Sequence, residues 1–222
     1  MASAAVALLI AGVAPAHAQL AGSAALESDD RVRGLTFSHG QPALRLNLSY
    51  DHSGGGYAGL SLIGAQGYDG GHDTRGYTAW AGYISPRRQG LAWEAGLTHT
   101  HVDNGFAYDY SEVYAGVSGD HFSARLSYSP RYYAPGTATL YADVSCGRRL
   151  SSHWRVFAHA GALTPVSGPV HRQRYDVSTG MALSVSHYEL QLAWVKSTPW
   201  KIYPGRVIDD GEAVVLSATG YF

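Results

Sequence analysis

The sequence predicts an all-β fold, a transmembrane antiparallel up-and-down β-barrel of about 12 strands. Three observations predict it. About twelve segments of roughly ten residues alternate apolar with polar or small side chains, the period-2 pattern of strands with two unlike faces. Some of these stripes carry aromatics at both ends, as a wall does where it meets headgroups on either side of a bilayer. The connections between segments alternate short and long. Composition agrees, because 27 glycines and 16 tyrosines against 2 methionines suit tight turns and aromatic girdles. No stretch after residue 18 approaches the roughly 20 apolar residues that a membrane helix needs.

Residues 1–18 read as a secretory signal. Ala4 to Val13 is apolar over the length of an h-region, and Ala16-His17-Ala18 fits the small-x-small cleavage rule, which puts the mature start at Gln19. The n-region departs from the pattern in having no Lys or Arg. The predicted organisation is a signal over 1–18 and one barrel domain over 19–222. Cys146 is the single thiol, so no intramolecular disulfide forms, and no Cys near the cleavage site offers a lipid anchor. A net charge of -1 without a basic stripe excludes nucleic acid as a partner.

The strands follow in order. The first is placed over 25–37, and the short connection Ser38 to Gln41 leads to the second over 42–52. There Leu44, Leu46, Leu48 and Tyr50 share one face, and Arg45, Asn47, Ser49 and Asp51 the other. Ser53-Gly54-Gly55 turns into the third, 56–65, and a longer loop from Gln66 to Asp73 precedes the fourth, 74–84. The fourth is ambiguous in parity: either Tyr77 and Tyr83 or Trp80 faces lipid. Pro86 to Gln89 leads to the fifth, 90–101, and Val102 to Tyr108 to the sixth, 109–118. Gly119-Asp120 turns into the seventh, 121–130, where Phe122, Ala124, Leu126 and Tyr128 alternate with Ser123, Arg125, Ser127 and Ser129. The eighth, 137–147, carries Val144 and Cys146 on its lipid parity, and the ninth covers 153–163. Thr164 to Gln173 is a long loop before the tenth, 174–185. The eleventh, 187–197, alternates Tyr188, Leu190, Leu192 and Trp194 with Glu189, Gln191, Ala193 and Val195. After the long loop Thr198 to Asp210, the twelfth, 211–222, sets Val214, Leu216, Ala218, Gly220 and Phe222 on one face. An even count with both termini periplasmic puts the short turns inside and the long loops outside. Closure removes the sheet edges that lipid would not tolerate. A terminal aromatic such as Phe222 is the address commonly read by the barrel-insertion machinery of Gram-negative bacteria, which makes that machinery and outer-membrane lipid the expected partners.

Parity assigns Arg45, Asp51, Glu94, Glu112, Arg125, Asp143, Arg155, Asp176 and Glu189 to the lumen, with Asn47, His159 and Gln191. An ion pair between Glu112 and Arg125 across the Gly119-Asp120 turn is expected. Two interiors fit this lining: a hydrated passage whose charges filter small hydrophilic solutes, or a packed interior of salt bridges with no open path. No cofactor or metal is called for, although His99 and His101 stand two apart near the outer rim. A lipid-modifying enzyme with Ser and His on the lipid-facing wall is a further class. No G-x-S-x-G elbow appears and no Ser is tied to a His, so no catalytic residue is assigned and the chain is not read as an enzyme. A soluble β-barrel would bury the apolar stripe, and the aromatics at both of its ends argue against that.

Ser28-Asp29-Asp30-Arg31-Val32-Arg33-Gly34 resembles the S-D-Y-x-x-R-G opening strand of the TorF-type porins, a family of proteobacterial outer-membrane proteins. Glu112-Val113-Tyr114-Ala115-Gly116-Val117-Ser118 resembles their E-V-Y-A-G-L-S strand, Tyr128-Ser129-Pro130 follows in place, and the Phe-terminated last strand agrees. Asp30 and Val32 stand where the family usually has aromatics. The resemblance implies localisation to the cell outer membrane and porin-like diffusion of small hydrophilic solutes. The alternative is a non-conducting structural or adhesive barrel. It supplies no site residue.

Overall fold

The computed structural model describes residues 19–67, 73–103, 107–132, 136–168, 171–198, 200–203, 206–208 and 211–222; the expected signal at 1–18 lies outside them. In chain order the elements are β1 (Gln19–Glu27), β2 (Arg31–Val32), β3 (Leu35–Thr36), β4 (Ala43–Asp51), β5 (Gly56–Ala65), β6 (Thr74–Ile84), β7 (Ala92–Asp103), β8 (Ala107–Ser118), β9 (Phe122–Ser129), β10 (Ala138–Arg149), β11 (Trp154–Ser167), β12 (Arg174–Val185), β13 (Tyr188–Ser197), β14 (Trp200–Tyr203), β15 (Arg206–Ile208) and β16 (Glu212–Tyr221). Twelve of them, β1, β4 through β13 and β16, close into one antiparallel barrel. The seam is β1 against β16, tied off where Gly22 and Phe222 exchange backbone hydrogen bonds of 2.9 and 3.0 Å. No wall strand is left with an open edge, which is what hydrocarbon requires. The pairs β2–β3 and β14–β15 are short hairpins outside the wall.

The wall follows the alternation in the sequence. Leu44, Leu46, Leu48, Leu126, Leu190, Leu192, Val214 and Leu216 are exposed on the outer face, where lipid would cover them. On β6 the parity resolves: Tyr77 and Tyr83 point outward, and Trp80 points inward over Gly59. Cys146 is outward and exposed. Short turns gather at the end that holds Gln19 and Phe222, the terminus end. One of them is the two-residue turn at Ser186-His187, with Ser186 at φ 55. Most of the longer connections gather at the opposite, loop end; the expected loop Val102 to Tyr108 is largely strand, because β7 runs on to Asp103 and β8 starts at Ala107.

The first strand differs from expectation. The wall strand is Gln19–Glu27, not 25–37, and residues 28–42 fold into the barrel as a loop containing the β2–β3 hairpin. The reason is visible in the charges. Extending the wall past Leu26 would turn Asp30 to lipid in step with it, whereas Leu20, Gly22, Ala24 and Leu26 offer an apolar outer stripe at no such cost. Folded inward, Val32, Leu35 and Phe37 join Val102, Tyr110, Tyr132, Tyr141 and Leu163 in a buried apolar cluster. The core of this molecule therefore sits inside the barrel, in its loop-end half.

Elsewhere the lumen wall is lined by side chains lying flat over glycine. In one row across four strands, Tyr57 faces Gly82, Gly82 faces Gly96, and Gly96 faces Tyr114. Each tyrosine rests on its neighbouring glycine, and the two hydroxyls meet at 2.6 Å above the pair.

Candidate functional site

The hairpin is held by charge, backbone and packing together. Arg33 and Gly34 form its turn, both at positive φ (51° and 77°). Gly34 meets a second demand, because a Cβ there would run into Ser197 and lie 3.2 Å from the Cβ of Asp176. Arg33 reaches across the lumen and donates from Nη2 to both oxygens of Glu112, at 2.8 and 2.9 Å. Its guanidinium lies 3.8 Å over the ring of Tyr141 and 5.1 Å from that of Tyr132. The Arg33 carbonyl accepts from Arg174 Nη2 at 3.2 Å, that of Gly34 from Ser197 Oγ at 3.2 Å, and that of Phe37 from Thr74 Oγ1 at 2.7 Å. At the base, Arg45 on the wall binds Asp30 and lies 3.6 Å from Glu27. The Asp29 carboxylate gathers Arg31, Thr36 Oγ1 and Ser38 Oγ. A cavity of about 10 Å³ remains between Asp30, Phe37, Arg45 and Thr100, room for about one water molecule.

The terminus-end half is different. Arg125 on β9 and Glu94 on β7 meet over Gly116, at 3.0 and 2.7 Å. A Cβ on Gly116 would stand 2.8 Å from the Glu94 carboxylate, so the glycine is what lets the pair close. Arg125 also stacks 4.4 Å over Tyr114, and Tyr57 donates to Glu94 at 3.2 Å. Nearer the mouth, Arg155 binds Glu189 at 3.0 Å, and Ser184 supports that carboxylate at 2.9 Å. Exposure marks the change of environment: the side chains of Arg33 and Glu112 are 3% and 1% exposed, those of Arg155 and Glu189 are 31% and 15%. The lumen is a vestibule at the terminus end, stoppered at the loop end.

The residues assigned to the lumen by parity separate accordingly. Arg45, Glu112 and Asp176 lie within the packed half. Glu94, Arg125, Arg155 and Glu189 line the vestibule, and Asp51 stands exposed at its mouth. Asp143 faces Arg125 across β9–β10. The expected Glu112–Arg125 pair does not form. Register places Arg125 opposite Gly116, two lumen positions short of Glu112, and each residue has a nearer partner. Parity also gave no sign of Arg33 and Asp30, because both lie off the wall. The signal that could have found them is charge on both parities of 28–33 followed by Arg-Gly, a turn pair rather than a strand pair. The loop over 198–210 carries β14–β15, and it is the β2–β3 hairpin that occupies the lumen. His99 and His101 flank the ring of Tyr77 on the outer wall, with centroids 5.8 and 5.6 Å away.

No protein-family model matches the chain, and no curated protein does. Solved structures do match. A KdgM porin superposes with a TM-score of 0.58 at 13% identity, covering 91% of this chain and 99% of that one. A KdgM porin in complex with disordered oligogalacturonate gives 0.57 at 11%, covering 93% and 99%. The Acinetobacter baumannii outer-membrane protein Omp33 gives 0.51 at 11%, covering 92% and 98%. At such identities the likeness is one of fold. This chain has the fold of an outer-membrane β-barrel.

Proposed function

We propose that this protein is a porin-like channel of a Gram-negative outer membrane, exported by its signal segment, in which the loop 28–42 restricts the passage of small hydrophilic solutes. The observation that carries this reading is the charged vestibule. Arg125–Glu94 and Arg155–Glu189 line a lumen open at the terminus end, where a merely structural barrel has no use for partly exposed ion pairs. In this reading the terminus end is periplasmic and the hairpin narrows the outer side. Arg33, Arg45, Arg125 and Arg155 each hold a carboxylate, which favours small neutral solutes over polyanions. The sequence likeness to TorF-type porins supports the same assignment. The hairpin packing favours a second reading, a barrel that does not conduct while the hairpin is seated.

Planar-bilayer recording of the refolded mature chain, beside a variant with 31–36 replaced by a short Gly-Ser link, separates the two. Small discrete steps from the native chain and larger ones from the variant are the expected result. Conductance in the variant alone establishes the closed barrel. Silence from both, with heat-modifiable folded protein inserted, ends the channel reading.

A further inference from the structure

Three lumen side chains outside the channel reading form a connected chain on consecutive strands. Ser145 on β10 lies 2.8 Å from His159 Nδ1 on β11, and His159 Nε2 lies 3.0 Å from Asp176 Oδ2 on β12. Hydrogen bookkeeping fixes who donates. A carboxylate only accepts, so the neutral imidazole carries its proton on Nε2 and donates to Asp176. Nδ1 is then a lone pair, and the Ser145 hydroxyl donates to it. The Tyr141 hydroxyl adds a second donor to the same carboxylate, at 3.1 and 3.2 Å from its oxygens, and lies 3.1 Å from His159 Nε2, whose N–H it can share with Asp176. Burial is graded in the direction that chemistry needs: the Asp176 side chain is 6% exposed beneath the hairpin, that of His159 is 21% exposed, and Ser145 lies one residue pair nearer the vestibule mouth than Asp143. The next lumen position on β10 is Gly147, so no side chain from that position stands between Ser145 and the mouth.

We propose that Ser145 is an activated nucleophile, with His159 as its general base and Asp176 as the residue that positions His159. The site would take small carboxylic esters or similarly activated acyl donors entering from the vestibule. The Ser145 Oγ–carbonyl bond forms as the hydroxyl proton passes to His159 Nδ1. The alcohol leaves with that proton, and water, deprotonated at the same nitrogen, releases the acid and restores the serine. Backbone N–H groups here are spent on the ladder, and the hydroxyl of Ser123, which register sets directly across from Ser145, is a candidate donor to an oxyanion. With so spare an oxyanion site, covalent capture is a better readout than turnover.

The test is labelling of the folded full barrel in detergent micelles with an alkyl fluorophosphonate, which forms an Oγ–P bond and expels fluoride, followed by peptide mapping. Label on Ser145 is expected. His159→Gln should slow it by about 100-fold, and Asp176→Asn by at least about tenfold. Tyr141→Phe, which removes a hydroxyl that touches both Asp176 and His159 Nε2 but leaves the Nε2–H···Asp176 bond in place, should lose much less label than Asp176→Asn. Ser111 is the internal comparison: it too bonds a histidine, His99 at 3.0 Å, but the nearest carboxylate, Asp109, is 3.9 Å from that ring and exposed. No label, label on Ser111 in place of Ser145, or equal loss in Tyr141→Phe and Asp176→Asn overturns the proposal. Mapping on the native chain decides alone for any variant that fails to fold.

Discussion

At the scale of single residues, the arrangement turns on Arg33. Its charge is carried into the packed half of the lumen and met there by both oxygens of Glu112. Removing one partner of such a pair strips a buried charge of its carboxylate, at about 3–5 kcal/mol. Glu112→Ala should therefore lower the urea midpoint of the refolded barrel and release the hairpin, seen as new protease cleavage after Arg31 or Arg33. A normal midpoint with an uncut hairpin would mean that apolar packing alone seats it. Gly34 gives a second handle, because positive φ and contact with Ser197 both exclude a side chain. Gly34→Ala should cost about 1–3 kcal/mol and raise single-channel conductance, while Gly40→Ala, also at positive φ but in open space, should leave conductance unchanged.

At the scale of strands, the two faces have opposite requirements. Leu190→Arg or Leu216→Arg puts a charge against lipid and should impair insertion by about 2–4 kcal/mol near the midplane. Glu189→Gln, one residue from Leu190 but inward, should leave heat-modifiable folding intact and change the reversal potential in a salt gradient. Silent leucine changes and an unfolded Glu189 variant would mean that the faces are inverted. Eleven of the wall strands were legible because period-2 alternation is what a wall between lipid and lumen demands, as Leu44 to Asp51 and Tyr188 to Ser197 show. The first was misplaced because Gln19–Glu27 is built largely of small residues, whose alternation is faint, and because the next segment has the charge density of a lumen strand without being one. The lumen face was legible too. Who pairs with whom was not, since parity assigns a side chain to a side of the wall but says nothing of register across several strands. Arg125 finding Glu94 over the gap of Gly116 depends on three strands at once.

At the scale of the whole molecule, an aliphatic outside, a charged vestibule and a packed stopper are arranged along one axis. Small residues set the lumen's width as much as large ones. Glycine lets Tyr57, Trp80 and Tyr114 lie along the wall instead of projecting from it, so that Gly96→Ala should push Tyr114 inward and lower conductance. The hairpin has a mechanical consequence as well. A ring of twelve strands joined only edge to edge has nothing across its middle, and lateral pressure from the bilayer would act to flatten it. Residues 30–37 reach from their root on β1 and β4 to β6 at Thr74, β8 at Glu112, β10 at Tyr141, β12 at Arg174 and β13 at Ser197. They behave as the spokes of a wheel and hold the cross-section round. Taking them out should quicken amide hydrogen exchange in β8, β12 and β13, far along the chain from the excised segment, while the terminus-end turns keep their protection.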